Sequence, residues 1–192
     1  MEFDSVIQKR HSVRSYKGKR ASWKLVMEAI DTANQGPFAD GNNPLRYIII
    51  EEQATIDKIA ELAGQLWINE AGILIVVCSD DTHLEHLHGQ RGKRYARQQS
   101  GAAIQTFLLK LTDLGLSSCW VGAFTDEQIK QHLKIPSHIE LEAIIPIGYE
   151  KVRLAPKRRK KPLENATNWE AWGSGKRPSL FNEDAPDPGR IE

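Results

Sequence analysis

Residues 101–122 read Gly101-Ala102-Ala103-Ile104-Gln105-Thr106-Phe107-Leu108-Leu109-Lys110-Leu111-Thr112-Asp113-Leu114-Gly115-Leu116-Ser117-Ser118-Cys119-Trp120-Val121-Gly122. Ala103, Ile104, Phe107, Leu108 and Leu111 recur at three- and four-residue spacing. That spacing puts them on one stripe of a helix running over residues 95–114. Gly115 stands where such a helix needs a residue that turns left-handed without strain, so it is read as the stop. Ser117 to Phe124 is then short and apolar, as a buried strand is.

Helix and strand patterns alternate on both sides of this unit. Upstream, Phe3 to Lys9 is a short helix, and Ser22 caps an amphipathic helix over 23–34 that carries Leu25, Val26, Ala29, Ile30 and Ala33. Gln35 to Pro44 is rich in Gly, Pro and Asn and reads as a loop. Leu45 to Glu51 and Gly72 to Ser79 read as buried strands. Between them Ala54 to Leu66 sets Ile56, Ile59, Ala60 and Ala63 on one helical face. Asp80 to Gly92 is polar and His-rich, which suggests an exposed excursion. Downstream, Thr125-Asp126-Glu127-Gln128 is a capping-box pattern opening a helix that stops before Pro136. Glu140 to Tyr149 is a fourth strand. Ser174 to Glu192, with Gly175, Pro178, Pro186, Pro188 and Gly189, reads as a tail without regular structure. The expected organisation is one domain over 1–173 and a tail over 174–192, in an α+β or α/β arrangement around a central sheet.

Composition sets the class. The 192 residues are 40% hydrophobic and carry 26 Lys+Arg against 25 Asp+Glu, a net charge of +1. Such a chain can bury a core, and its balance argues against a dedicated nucleic-acid binder. No apolar run approaches the ~20 residues that span a bilayer. The N-terminus, Met1-Glu2-Phe3-Asp4, lacks the layout of a signal peptide. Cys78 and Cys119, the two cysteines, lie inside apolar segments and imply no disulfide framework, so a cytoplasmic location without membrane association is expected.

Four constellations could carry chemistry. Arg10-His11-Ser12-Val13-Arg14 puts two guanidiniums and a hydroxyl into five residues. In an extended chain residues 10, 12 and 14 share a face and offer charge-assisted donors to an anion. The plain alternative is an exposed basic turn. Lys157-Arg158-Arg159-Lys160-Lys161 is a second basic run, either a solvated face or a phosphate-binding segment. Gly122 interrupts a strand, as glycines do at a bulge or where a ligand approaches the backbone closely; a packing glycine beneath a helix explains it equally. His83, His86 and His88 lie among carboxylates but match no metalloenzyme spacing, and no native metal site is expected. Cys119 has no evident activating neighbour and reads as an inert buried thiol. A non-enzymatic phosphate- or nucleic-acid-binding module using Arg10, Arg14 and Lys157–Lys161 remains the alternative reading.

In order along the chain, these segments resemble the flavin-dependent nitroreductase family. Arg10-His11-Ser12-Val13-Arg14-Ser15-Tyr16 is similar to its N-terminal Arg-x-Ser-x-Arg/Lys-x-aromatic signature. The Ala33–Tyr47 loop, the Gly101–Gly122 helix, turn and strand, Ile145-Pro146-Ile147-Gly148-Tyr149 and Arg158–Leu163 match its later elements. The resemblance implies an α+β fold, a mixed, mostly antiparallel sheet of four to five strands wrapped by helices. It implies an intertwined homodimer with FMN at the subunit interface and the C-terminal tail embracing the partner. Electrons would pass from NAD(P)H through FMN to a nitroaromatic, a quinone or a similar conjugated small molecule. Arg10 and Ser12 would hold the FMN phosphate, with His11 beside them. Arg14 would lie near the flavin N1/O2 edge, and Gly122 with Ala123 near N5. Arg159 and Lys160 would close on the phosphate. In the Asn-rich loop Asn43 takes the position where the family carries Gln, and Asn42 stands beside it. No side chain is assigned as a proton-transferring catalyst.

Overall fold

The computed structural model describes residues 1–152 and 161–175. The chain divides into two compact units, Met1–Leu154 and Ala155–Glu192, whereas the sequence pattern drew the boundary after residue 173.

The first unit is built on four antiparallel strands: β1 (Leu45–Ile50), β2 (Ile73–Ser79), β3 (Ser117–Ser118) and β4 (Glu140–Gly148), in the order β1-β2-β4-β3. Six helices surround them: α1 (Phe3–Lys9), α2 (Trp23–Ala33), α3 (Gln53–Leu62), α4 (Thr82–His88), α5 (Gln90–Asp113) and α6 (Asp126–Leu133). β2 is buried along its whole length, so its alternate residues serve two cores. Ile73, Ile75 and Val77 pack with Val26 and Ala29 of α2 and Phe107 and Leu111 of α5. Leu74 and Val76 pack with Ile56 and Ile59 of α3 and Ile129 of α6. Helices therefore cover both faces of the sheet.

The end of α5 follows the sequence. Gly115 has φ +77°, its N–H bonds to Thr112 O, and Leu116 N–H reaches back to Leu111 O at 2.8 Å. That is the pair of bonds by which a left-handed residue closes a helix.

Three expectations need correction. The His-rich excursion is helical: α4 and α5 nearly abut, joined at Gly89, and α5 starts at residue 90 rather than 95. Gly92 makes this possible, because a Cβ there would collide with the Leu84 carbonyl and lie 2.7 Å from Glu85 N. Thr125 stands at the start of α6 but makes no side-chain capping bond. The expected strand over 117–124 keeps only two regular residues. Val121 still exchanges both backbone bonds with Ile144, in the register set by Ser117 opposite Gly148. Midway between, Cys119 faces Pro146, which has no N–H to donate, so the ladder is interrupted there.

In the second unit the described residues 161–175 form a 3-10 turn, Leu163–Asn165, followed by a loop held by local bonds. Trp169 N–H reaches Ser174 O at 2.7 Å, and Trp172 is 97% exposed.

Candidate functional site

After α1 the chain becomes extended and runs along the outer side of β3. Val13 N–H bonds to Ser118 O at 3.0 Å, Lys17 N–H to Tyr149 O and Lys151 N–H to Ser15 O. The first bond belongs to a parallel bridge between Ser12 and Ser118, and the other two flank an antiparallel bridge between Tyr16 and Glu150. The extended chain alternates as expected. Val13 is buried, whereas Ser12 and Arg14 are exposed and Arg10 is half-buried. Tyr16 anchors the segment: its ring lies where a Cβ on Gly148 would come within 2.9 Å, so only glycine fits there. Its hydroxyl, buried, lies 2.8 Å from Val13 O and 3.2 Å from Pro146 O, and burial pushes its pKa well above the ordinary phenol range.

His11 is half-buried and tied to the protein. Nδ1 lies 2.8 Å from Lys9 O, and Nε2 lies 2.8 Å from the Glu150 carboxylate. Its ring is thus occupied, which leaves its backbone for a ligand. Cys119, buried beside Ser12, has its thiol pKa raised by desolvation. The Arg14 charge, the Ser12 hydroxyl and the Arg10 charge offset this only in part. A thiol held protonated suits the inert role read from the sequence.

The second half of the site is the open edge beyond the interruption. Val121 directs its N–H and C=O to Ile144, so by strand alternation Gly122 directs its own N–H away from β4. Among the described residues that N–H has no hydrogen-bond acceptor, and Gly122 and Ala123 are exposed. A Cβ on Gly122 would meet only Trp120 Nε1, at 4.0 Å. Here, then, is bare backbone with a free donor and space before it. On the segment paired with Ser118, Ser12, whose hydroxyl meets the Cys119 thiol, and Arg14 are exposed. This donor set suits an anionic, planar, hydrogen-bonding cofactor.

Other predicted residues are placed differently. Asn43 is used within its loop: Nδ2 donates to Asn34 Oδ1 and Oδ1 accepts Leu45 N–H, both at 3.0 Å. Asn42 offers its carbonyl to Gln99 Nε2 at 3.4 Å. Arg159 and Lys160 lie outside the described residues, as does most of the tail. His88 pairs with Asp40 at 2.6 Å and stacks edge-on with Tyr95. Among the described residues no group of three or more His, Cys, Asp or Glu is arranged to hold a metal ion.

One contributor went unread in the sequence. α3 ends at Leu62, and the chain turns through Gly64 into a 3-10 segment, Leu66–Glu70. Gln65 Nε2 donates to Ala123 O at 3.0 Å. The Arg14 guanidinium lies 5.9 Å from the centre of the Trp67 ring. Glu70 Oε2 accepts Tyr16 N–H at 2.9 Å and Ser15 Oγ at 3.1 Å. Those two bonds, Tyr16 N–H first, with help from Lys151, hold the Glu70 carboxyl below the usual glutamate range. The only sequence signal was an apolar helix pattern that carried on too far.

With this geometry in place, comparison bears out the family resemblance. Residues 61–149 match the model of the Nitroreductase family. A Methanothermobacter thermautotrophicus protein, provisionally named NADH dehydrogenase/NAD(P)H nitroreductase, is 29% identical over 154 residues, 78% of each chain. A crystal structure of a nitroreductase family protein from Clostridium difficile 630 superposes with a TM-score of 0.78 at 26% identity, covering 89% of this chain and 99% of the other. An FMN-dependent nitroreductase from Clostridium difficile R20291 superposes with a TM-score of 0.69 at 21% identity, covering 80% and 90%. The chain has the nitroreductase fold, α+β on an antiparallel sheet.

Proposed function

We propose that this chain is an oxidoreductase that binds FMN, takes electrons from NAD(P)H and passes them to a nitroaromatic, quinone or similar conjugated acceptor. The observation that carries this reading is the exposed N–H of Gly122, without an acceptor among the described residues and without Cβ bulk, just past the β3 stretch that pairs with Ser12. The names of the similar proteins support it: one names NADH and NAD(P)H, another FMN.

In this reading Arg10 and Ser12 hold the phosphate, with the His11 backbone beside them and Arg159 and Lys160 closing over it. Arg14 places a fixed positive charge at the N1/O2 edge, where reduction adds negative charge. The Gly122 N–H donates at the N5 side, with Ala123 alongside, and Asn42 and Asn43 belong to the loop at the pyrimidine edge. When bound, FMN supplies the two-electron chemistry between donor and acceptor. The protein binds, orients and shields it.

The functional unit in this reading is a homodimer in the cytoplasm. Leu163, Trp169 and Trp172 are exposed within residues 161–175, a span without a core of its own. Wrapping of the 174–192 tail and its approach around a partner subunit would bury them.

The visible spectrum of the purified protein, followed by chromatography of the released chromophore, tests the cofactor. Flavin bands and about one FMN per chain are expected, with bleaching by NADH or NADPH. A colourless protein that takes up no FMN overturns the reading.

A further inference from the structure

The Gln65–Glu70 segment touches both halves of the candidate site, at the Gly122–Ala123 edge and at residues 14–16. We infer that Gln65, Trp67 and Glu70 act together as a positioning clamp that sets the Arg14 guanidinium against the bound flavin. The inference rests on the FMN reading above and names residues that act through Arg14 and Ala123 rather than on the cofactor itself.

The clamp is anchored. Ile68, at its centre, is fully buried, and Ala71 is buried in one cluster with Val13 and Tyr16. Its entry is fixed by Gln65 N–H to Ala60 O at 2.9 Å and its exit by Gly72 N–H to Ile147 O at 3.0 Å. Gly72 sits so close to the preceding loop that a Cβ would lie 2.8 Å from Arg20 Cα. From this base three side chains reach out at separate points. Gln65 holds the carbonyl of Ala123. Trp67 lies under the Arg14 guanidinium. Glu70 fixes the backbone at Tyr16 and the side chain of Ser15, the residues immediately after Arg14. The Arg10–Tyr16 segment is secured to the sheet along one edge by Val13 N–H, and Glu70 secures the other.

Arg14 is exposed and has a long, rotamer-rich side chain. An arginine free to rotate loses conformational entropy when it meets an anion, and one already drawn towards an indole face loses less. The clamp therefore tunes affinity and the ease of reduction more than it holds the fold.

The test uses full-length protein carrying Trp67→Leu, Trp67→Phe, Glu70→Ala or Glu70→Gln. The readouts are FMN dissociation constant, flavin midpoint potential and apoprotein melting temperature. Trp67→Leu and Glu70→Ala are expected to weaken FMN binding roughly three- to tenfold and to shift the potential to more negative values. Trp67→Phe, which keeps a ring face, and Glu70→Gln, which keeps the acceptor oxygen, should restore most of both. Unchanged affinity and potential in Trp67→Leu and Glu70→Ala overturn the clamp while leaving the flavin reading intact. Losses in Trp67→Phe as large as in Trp67→Leu also overturn it, since bulk rather than the aromatic face would then be responsible. A wild-type protein that takes no FMN overturns the flavin reading itself.

Discussion

Replacing Gly122 with valine separates the binding role proposed for that position from its place in the fold. Its φ lies outside the left-handed region, and a Cβ would find only Trp120 Nε1, at 4.0 Å. The side chain thus has room in the free protein. Replacing a glycine where the backbone suits other residues stabilises by about 0.4–1 kcal/mol, by narrowing the unfolded ensemble. For a domain of this size that corresponds to a melting temperature unchanged or raised by roughly 1–4 °C. Binding should respond in the opposite sense. A hydrogen bond from Gly122 N–H needs its acceptor at about 3 Å, whereas carbon atoms of a branched side chain keep a planar ring about 3.5 Å away. The ring must retreat from the backbone, losing the bond and part of its packing, a cost of about 2–3 kcal/mol or roughly 30- to 150-fold in affinity. Thermal melting of the apoprotein and an FMN titration of the same preparation read the two effects. Wild-type FMN affinity and turnover in Gly122→Val would refute the assignment. A melting temperature lowered by many degrees would refute the packing argument.

Arg10→Ala should weaken FMN binding by about 1.5–3 kcal/mol, the value of a hydrogen bond from a charged donor; an unchanged titration at low FMN would count against it. Gly92→Ala should destabilise the protein by more than about 3 kcal/mol in chemical denaturation, because the new Cβ overlaps the Leu84 carbonyl and α4 must move off α5. Glu142 gives a pH signature. Its carboxylate accepts from Ser79 Oγ at 2.6 Å and Arg97 at 2.8 Å, with Ser100 Oγ at 3.2 Å and Asp81, itself paired to Arg97, close by. The Cys78 thiol also senses its charge. Burial raises the Glu142 pKa above the ordinary 4.5. The folded protein therefore holds this proton to higher pH than the unfolded chain, and its contribution to stability declines as pH rises from about 4.5 through the raised folded value. Glu142→Gln should flatten that part of a stability-against-pH curve measured by urea unfolding; an unaltered slope would disprove the link.

Local pattern carried most of the fold. The α5 stripe, the Gly115 stop and the apolar run Ile73–Cys78 of β2 each depend on residues close in sequence, and each lies where its spacing implies. The His-rich segment failed for a physical reason. Polar residues at 82–88 mark an exposed helix face as readily as a loop, and the decisive close approach of Gly92 to Leu84 is a contact that composition does not encode. Site residues divide in the same way. The outward alternation of Ser12 and Arg14 follows from an extended chain, so it was legible. That the His11 ring is taken by Glu150, or that Glu70 braces Tyr16, depends on partners 139 and 54 residues away.

The open edge itself has a cause in one residue. β4 offers Pro146 opposite Cys119, so β3 cannot zip from Ser117 to Val121, and Tyr16 places its hydroxyl near the Pro146 carbonyl instead. The same tyrosine turns its ring onto Gly148 and donates its backbone N–H to Glu70. Proline, tyrosine and glycine thus end a strand pair and anchor the Arg10–Tyr16 segment together. Beyond the break, Gly122 is left facing outward with a donor that no strand among the described residues completes. An edge left unpaired for no purpose invites association with other chains. Here it follows the stretch that pairs with Ser12 and adjoins the Gln65–Trp67 segment that meets Arg14, and in the proposed reading a bound ring would satisfy the donor and cover the edge.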